Sequence, residues 1–199
     1  MSRSRNDLVE LITEFPGIGP RQARRIVQFL LAAGTPFREK LARLIIESGA
    51  STSPCTICFR FDDSRDSGVC SICADPLRDQ ATLMVVEKDI DIEGIENSGA
   101  YKGRYFVLGG LKTMTERKNA RMVRVSELLT HIAKSDVQEV IFALSTTPEG
   151  DYTARELAKE IQKAKSGVSV TLLGRGLSVG AEIEYADAET LRSALKNRN

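Results

Sequence analysis

Four cysteines constrain this chain more than any other feature of its sequence. They form two Cys-x-x-Cys pairs, Cys55 with Cys58 and Cys70 with Cys73, separated by residues 59–69. Two residues between thiolates let each pair bind one edge of a metal ion, and the intervening loop brings the pairs together as a tetrahedron. The pattern therefore predicts one structural Zn²⁺ per chain in a closed four-sulfur site.

Two disulfides are the main alternative for these cysteines, and a redox-active thiol pair is a lesser one. The N-terminus has no apolar signal core, and no apolar run reaches the roughly 18 residues that a membrane span needs. We therefore expect a cytoplasmic protein, a setting that disfavours disulfides. Redox motifs usually occur as a single pair, whereas this chain has two.

Apolar periodicity divides the rest of the 199-residue chain into helical and mixed parts. In residues 1–50 it predicts a helix capped by Asn6 or Asp7, a second from about Arg21 to Gly34, and a third over 36–48. The third helix is expected to be buried through its apolar face, which carries Leu41, Leu44 and Ile45.

Beyond residue 83, apolar runs alternate with helical patterns. Strands are predicted at 83–86, 105–108, 139–144 and 168–173, and helices at 89–97, 123–134, 153–165 and 188–195. This alternation predicts an α/β fold with a mostly parallel sheet covered on both faces. The expected division is a helical unit at 1–50, a zinc motif at 51–76, an α/β domain at 77–173, and a glycine-rich segment with a final helix at 174–199.

The segment between the first two predicted helices has the composition of a phosphate-binding turn. Gly17 and Gly19 allow close backbone approach, the next helix offers its free N–H groups, and Arg21, Arg24 and Arg25 add positive charge. The alternative is a helix corner whose glycines serve packing alone. The segment resembles the helix–hairpin–helix motif of repair proteins, which predicts contact with DNA phosphates irrespective of base sequence.

The net charge of +1 excludes little, but one basic stretch stands out. Residues 112–124 hold five basic residues and one acidic residue. They either contact DNA or form a helix with a solvated basic face, and the sequence favours neither.

The predicted α/β domain resembles the Toprim domain of topoisomerases, primases and some nucleases. Active members hold magnesium with a glutamate after one strand and an Asp-x-Asp after a later one. Here Glu87 matches the glutamate, but Ser145 and Thr147 occupy the Asp-x-Asp positions, and Glu149 follows in the family's Glu-Gly frame. Metal-assisted phosphoryl chemistry needs those carboxylates. We therefore expect no enzyme, and a magnesium-dependent nuclease or primase is the alternative.

The order of these parts resembles the RecR family of bacterial recombination mediators. The resemblance extends to local strings, most particularly Gly174-Arg-Gly-Leu-Ser-Val-Gly-Ala-Glu-Ile-Glu-Tyr-Ala-Asp187. It implies a homo-oligomer, a dimer or tetrameric ring, that surrounds duplex DNA and works with RecO and RecF to load the recombinase onto gapped DNA. It also implies that Arg21 and Arg25 face the DNA, that Glu149 lies on the face offered to RecO, and that the N-terminal helices and the tail form subunit contacts.

Overall fold

The structure is a computed structural model that describes residues 3–62, 68–112, 123–174, 176–177 and 180–196. The chain divides into two units, Met1–Thr52 and Ser53–Asn199. Among the helices of the described ranges, none has the length and apolar character needed to cross a membrane.

The first unit consists of three helices, α1 (Arg3–Thr13), α2 (Pro20–Ala32) and α3 (Thr35–Ser51). Its small core joins Ile12 of α1 to Ala23 and Val27 of α2. The predicted second helix is confirmed to within two residues at each end. The predicted capping of the first helix by Asn6 or Asp7 is wrong, because α1 begins at Arg3 and both residues lie inside it.

Helix α3 contradicts the prediction that its apolar face is buried. None of its residues is buried. Leu41, Leu44 and Ile45 are all exposed, Ile45 by 62% and its neighbour Ile46 by 72%. The periodicity correctly indicated a helix with apolar side chains, but the core of this unit is formed by α1 and α2.

The second unit contains a four-stranded parallel sheet with strand order β4-β3-β5-β6. This unit begins with two short antiparallel strands and a one-turn helix, and then alternates between strands and helices. The elements are β1 (Ser53–Pro54), β2 (Phe61–Asp62), α4 (Ser71–Ala74), β3 (Asp79–Val86), α5 (Ile90–Ser98), β4 (Gly103–Val107), α6 (Val125–Lys134), β5 (Glu139–Ala143), α7 (Pro148–Ala164), β6 (Ser169–Leu172), a 3-10 turn (Ile183–Tyr185) and α8 (Ala188–Lys196).

Successive residues of the central strands enter two different cores, as the period of two in a strand requires. Leu83 and Val85 of β3 lie in a core with α6 and α7. Met84 and Val86 lie in the opposite core, with α5 and the four cysteines. The predicted α/β fold, with a parallel sheet covered on both faces, is confirmed.

Candidate metal centre and nucleic-acid interface

The four cysteines meet in one buried cluster. All four lie within the described residues, each is a free thiol, and their Sγ atoms lie within 4.8 Å of one another. Tetrahedral Zn²⁺ with Zn–S bonds of about 2.3 Å separates its sulfurs by about 3.8 Å. The cluster therefore fits a four-sulfur metal centre and could hold a metal ion.

Local backbone geometry places the two cysteine pairs. Cys55 follows β1, and the turn that carries Cys58 closes through a hydrogen bond from the Phe59 N–H to the Cys55 carbonyl (2.9 Å), with Phe59 at φ +63°. Cys70 precedes α4, and Cys73 lies within that helix. Backbone N–H groups of Cys70 and Cys73 donate to the Sγ atoms of Cys55 and Cys70, at 3.3 and 3.4 Å. Such bonds stabilise negative charge on sulfur.

Direct contact between two of the thiols shifts their pKa values in opposite directions. The Sγ atoms of Cys58 and Cys70 lie 3.5 Å apart. Hydrogen bonding to Cys70 raises the pKa of the Cys58 thiol. The same contact, with the Cys58 thiol donating, lowers the pKa of Cys70 to about 2. A metal cation would replace these protons and hold every sulfur as thiolate.

The cluster is attached to the parallel sheet. The N–H of Val107 in β4 donates to the Cys58 carbonyl at 2.8 Å. The ring of Phe59 packs edge-on against Phe106, with centroids 5.4 Å apart, and the guanidinium of Arg124 lies 4.9 Å from the Phe59 ring centroid. A metal here would fix the cysteine-containing segment, which packs on one face of the parallel sheet.

In the first unit, the glycine-rich segment forms a tight turn into the start of α2. Gly17 has a left-handed φ of +76°, and the Ile18 N–H donates to the Phe15 carbonyl at 3.1 Å. Gly19 is extended and directly precedes Pro20, the first residue of α2. A side chain at Gly19 would meet nothing within 4 Å. Nothing inside the described chain therefore requires glycine at residue 19, and its surface is open to a ligand.

The three arginines lie on the first turns of α2. All three side chains are exposed. The Arg24 Nε–H donates to the Pro20 carbonyl at 3.2 Å, so Arg24 is partly engaged within its own helix. The first backbone hydrogen bond of this turn runs from Ala23 to Gly19. The N–H groups of Arg21 and Gln22 therefore lie at the positive end of the helix dipole.

At the carboxyl edge of the parallel sheet, Glu87 follows β3 and is only 8% exposed. Ser145, which follows β5, donates its hydroxyl to Glu87 Oε2. The Lys88 ammonium lies 3.3 Å from Glu87 Oε1. The carboxylate is therefore hydrogen-bonded and charge-compensated by its own chain. The contact between Lys88 and Glu87 could not be predicted from the sequence, because neighbouring residues after a strand need not point the same way.

Thr147 and Glu149 have separate roles at the start of α7. Thr147 caps the helix, and its Oγ1 accepts a hydrogen bond from the Gly150 N–H at 3.1 Å. Glu149 lies in the first turn with an exposed side chain. A Cβ on Gly150 would lie 1.9 Å from the Ser145 carbonyl oxygen. The glycine of the Glu-Gly frame is thus explained by close packing of the Ser145 backbone against α7.

The described ends of the basic stretch are tied to the second unit. The Lys112 ammonium donates to Glu160 at 2.6 Å, and the Arg124 guanidinium donates to the Val107 carbonyl at 3.1 Å. Residues 113–122, on which the two interpretations of this stretch differ, lie outside the described residues.

Comparison with known proteins identifies similar families and relatives. The family model for the Toprim domain matches residues 81–173, and the model for the RecR C-terminal region matches residues 176–199. The chain is 37% identical to Recombination protein RecR of Porphyromonas gingivalis over 197 residues, 99% of this chain and 93% of the relative. It is 38% identical to the protein of that name in Syntrophobacter fumaroxidans over 193 residues, 97% of this chain and 94% of the relative.

Proposed function

The chain belongs to the RecR family of DNA recombination and repair proteins, and we propose that it acts as a non-catalytic, ring-like DNA clamp in the cytoplasm. In this proposal it works with RecO and RecF to help load the recombinase on gapped DNA. Gly17, Gly19, Arg21, Arg24 and Arg25 form the DNA contact. The contact is with phosphates and ignores base identity.

The observation that carries the proposal is the open start of α2. Exposed Arg21 and Arg25 flank a helix N-terminus whose preceding Gly19 has no neighbour within 4 Å of a Cβ position. A phosphate placed there would meet backbone N–H groups, the positive end of the helix dipole and two guanidinium groups. The motif is therefore suited to a polyanion that slides past it.

Exposed apolar side chains in both units support a homo-oligomer, a dimer or tetrameric ring. In the first unit these are on α3, including Ile45 and Ile46; in the second they include Ile183 and Tyr185, which are 68% and 80% exposed. Apolar groups in such numbers are normally covered by a partner, and in a symmetric assembly another copy supplies the cover.

The carboxyl edge of the sheet supports a binding role over turnover. A catalytic magnesium site needs convergent, available oxygen ligands. Here Glu87 is bonded to Ser145 and paired with Lys88, while the Thr147 hydroxyl is used as a helix cap. The exposed carboxylate of Glu149 remains at this end of α7, and we assign it to the contact with RecO.

For the cysteine cluster we propose one Zn²⁺ per chain, held by Cys55, Cys58, Cys70 and Cys73. Four buried sulfurs are the donor set of structural zinc, and no position is left for a substrate. The metal would supply cross-linking of the segment at 51–76 and no catalytic chemistry. The division into segments 1–50, 51–76, 77–173 and 174–199 then assigns DNA contact, metal binding, partner binding and subunit contact in that order.

Fluorescence anisotropy of a labelled gapped duplex tests the DNA contact. The Arg21→Ala/Arg25→Ala protein is expected to bind much more weakly, with the salt slope reduced by about one for each lost phosphate contact. Lys159→Ala/Lys163→Ala is the control, since it removes two exposed cations of α7 and leaves the first unit, with its hairpin and the apolar face of α3, unchanged. Equal affinity of wild type and the Arg21/Arg25 variant would place the DNA surface elsewhere.

A further inference from the structure

A cavity in the second unit lies at the opposite edge of the parallel sheet from Glu87. Its volume is about 260 Å³, and its wall includes Arg104 and Val137. Arg104 is the second residue of β4, and Val137 lies shortly before β5 begins at Glu139. The cavity is therefore at the edge where the strands begin, and none of its lining residues belongs to the first unit.

Positive charge converges on this cavity from two elements of the fold. Arg104 reaches it from β4, and His131 and Lys134 reach it from the last turn of α6. The Lys165 ammonium donates to the carbonyls of two further wall residues, Ser135 at 2.6 Å and Val137 at 3.2 Å.

One carboxylate, that of Asp136, also lines the cavity. Among the charged groups of the wall and its immediate support, cations therefore exceed carboxylates even when His131 is neutral. The cavity attracts anions, and Asp136 weakens that attraction.

The Arg104 guanidinium carries an unused donor. Its Nε is buried, and no hydrogen-bond acceptor for it exists among the described residues. A buried N–H without an acceptor costs about 1–3 kcal/mol, and such groups are rare in folded proteins. Because this Nε is buried, an anionic oxygen in the cavity would satisfy the donor once the Arg104 side chain turns toward it.

We propose that this cavity is a phosphate-binding site, with Arg104, His131 and Lys134 as its ligand-contacting residues. Its volume lies below the roughly 300 Å³ at which sites for drug-sized ligands begin, so it takes a single phosphate group and not a whole nucleotide. A guanidinium fork with a second cation beside it matches the geometry and double charge of phosphate. The phosphate is either free or part of a nucleic-acid backbone.

His131 is a half-buried wall residue of the same cavity. Burial, and then the charge of Arg104, lower the pKa of His131 below its usual value. A phosphate between the two side chains would offset the charge of Arg104 and accept a hydrogen bond from the imidazole.

Titration of the full chain with inorganic phosphate, followed by NMR at the Arg104 Nε–H and the His131 ring, tests the proposal. Saturable shifts are expected with phosphate and not with chloride at equal ionic strength. Arg104→Met, which keeps the aliphatic stem, is expected to weaken binding by about tenfold or more.

Two exposed positions keep the test valid if Arg104→Met fails to fold. Lys134→Gln is expected to weaken phosphate binding about two- to fivefold, and Asp136→Asn to strengthen it by a similar factor. Lys163→Gln removes an exposed cation that does not line the cavity and should change nothing. The proposal would be overturned if the phosphate affinity did not fall in Lys134→Gln and rise in Asp136→Asn. It would also be overturned if the phosphate titration did not saturate.

The remaining arms identify the source of the phosphate. If inorganic phosphate and a single-stranded oligonucleotide compete for the Arg104 signal, the natural ligand is a nucleic-acid phosphate; if only the inorganic ion binds, it is a free phosphate. If acetate or a glutamate-rich peptide binds more tightly than phosphate, the site recognises carboxylates and the proposal is wrong. Loss of DNA binding in Arg21→Ala/Arg25→Ala would leave the phosphate titration unchanged, so the two proposals fail separately.

Discussion

The Ser145 hydroxyl donates to the carboxylate of Glu87, which lies 58 residues earlier in the chain. This hydrogen bond joins the ends of the neighbouring parallel strands β3 and β5. An aspartate at residue 145 would face the same glutamate. The serine replaces a potential repulsion between two carboxylates with a hydrogen bond to the one carboxylate that remains. The fold thus accommodates the Glu87 carboxylate without a metal ion beside it.

Ser145→Asp is expected to make the stability of the protein depend on magnesium. A second carboxylate beside Glu87 destabilises the metal-free protein by about 1–2 kcal/mol through repulsion, and a divalent cation restores that loss by binding the folded state. Thermal unfolding without and with added Mg²⁺, in buffer free of chelators so that the proposed zinc stays bound, measures the effect. Wild type and the uncharged Ser145→Asn variant should show no such difference.

The same edge gives a test of catalysis. We expect wild-type protein to leave labelled gapped DNA unchanged in the presence of Mg²⁺, since Glu87 is held by Ser145 and Lys88. Glu87→Ala should not change DNA affinity in the anisotropy assay. Cleavage or synthesis by wild type that disappears in Glu87→Ala would establish the enzymatic alternative.

Gly150→Ala is expected to destabilise the second unit by about 2–4 kcal/mol, because its Cβ would lie 1.9 Å from the Ser145 carbonyl oxygen. Gly94→Ala is the matched control. Gly94 lies within α5, and a Cβ there meets nothing within 4 Å. That change should be neutral or stabilise by up to about 1 kcal/mol. Denaturation followed by circular dichroism compares the two, and similar midpoints would contradict the close contact.

The metal centre is tested by Cys58→Ser. The variant should lose the metal and expose the hydrogen bond from the Val107 N–H to the Cys58 carbonyl, because the metal holds the segment against β4. Elemental analysis should find about one zinc per wild-type chain, and hydrogen exchange at Val107 should accelerate in the variant. Ser71→Ala, between the cysteines of the second pair, removes no sulfur. This variant should retain both the zinc and the slow hydrogen exchange at Val107. Full metal content in Cys58→Ser would contradict the four-sulfur site.

How much the sequence predicted depended on the range of the interaction. The apolar runs at 83–86 and 139–144 predicted two strands because a buried parallel strand is marked by a short run of apolar residues. The spacing of the cysteines predicted their convergence for a similar local reason. Strand β3 nevertheless begins at Asp79, four residues before its predicted start. The apolar pattern missed these residues because the strand starts with polar, exposed side chains at the sheet edge.

The sequence could not predict features that depend on distant partners. The apolar pattern of α3 shows a helix face, but whether Leu41 and Ile45 are buried depends on what covers them. Arg104 and His131 line one cavity although they lie on different elements, β4 and α6. No local pattern in the sequence relates these two residues.

The stability of the protein is expected to fall below neutral pH through His131. Its pKa is lowered in the folded state, first by burial and then by Arg104; Lys134 of its own helix and Asp136 also line its cavity. The unfolded chain therefore binds the proton first as pH decreases. The contribution of neutral His131 is complete above the unfolded pKa of about 6.5 and is lost as pH falls through the lower folded value.

Unfolding midpoints of wild type and His131→Gln between about pH 8 and 5.5 measure this contribution, in the range where histidine titrates. The wild-type midpoint should decrease relative to the variant as pH falls. Because the chain has one histidine, NMR of its ring gives the folded pKa directly. A value above that of an unfolded peptide, or parallel stability curves, would contradict the buried position of His131 beside Arg104. Addition of inorganic phosphate should raise the measured pKa, since a bound anion stabilises the charged imidazole.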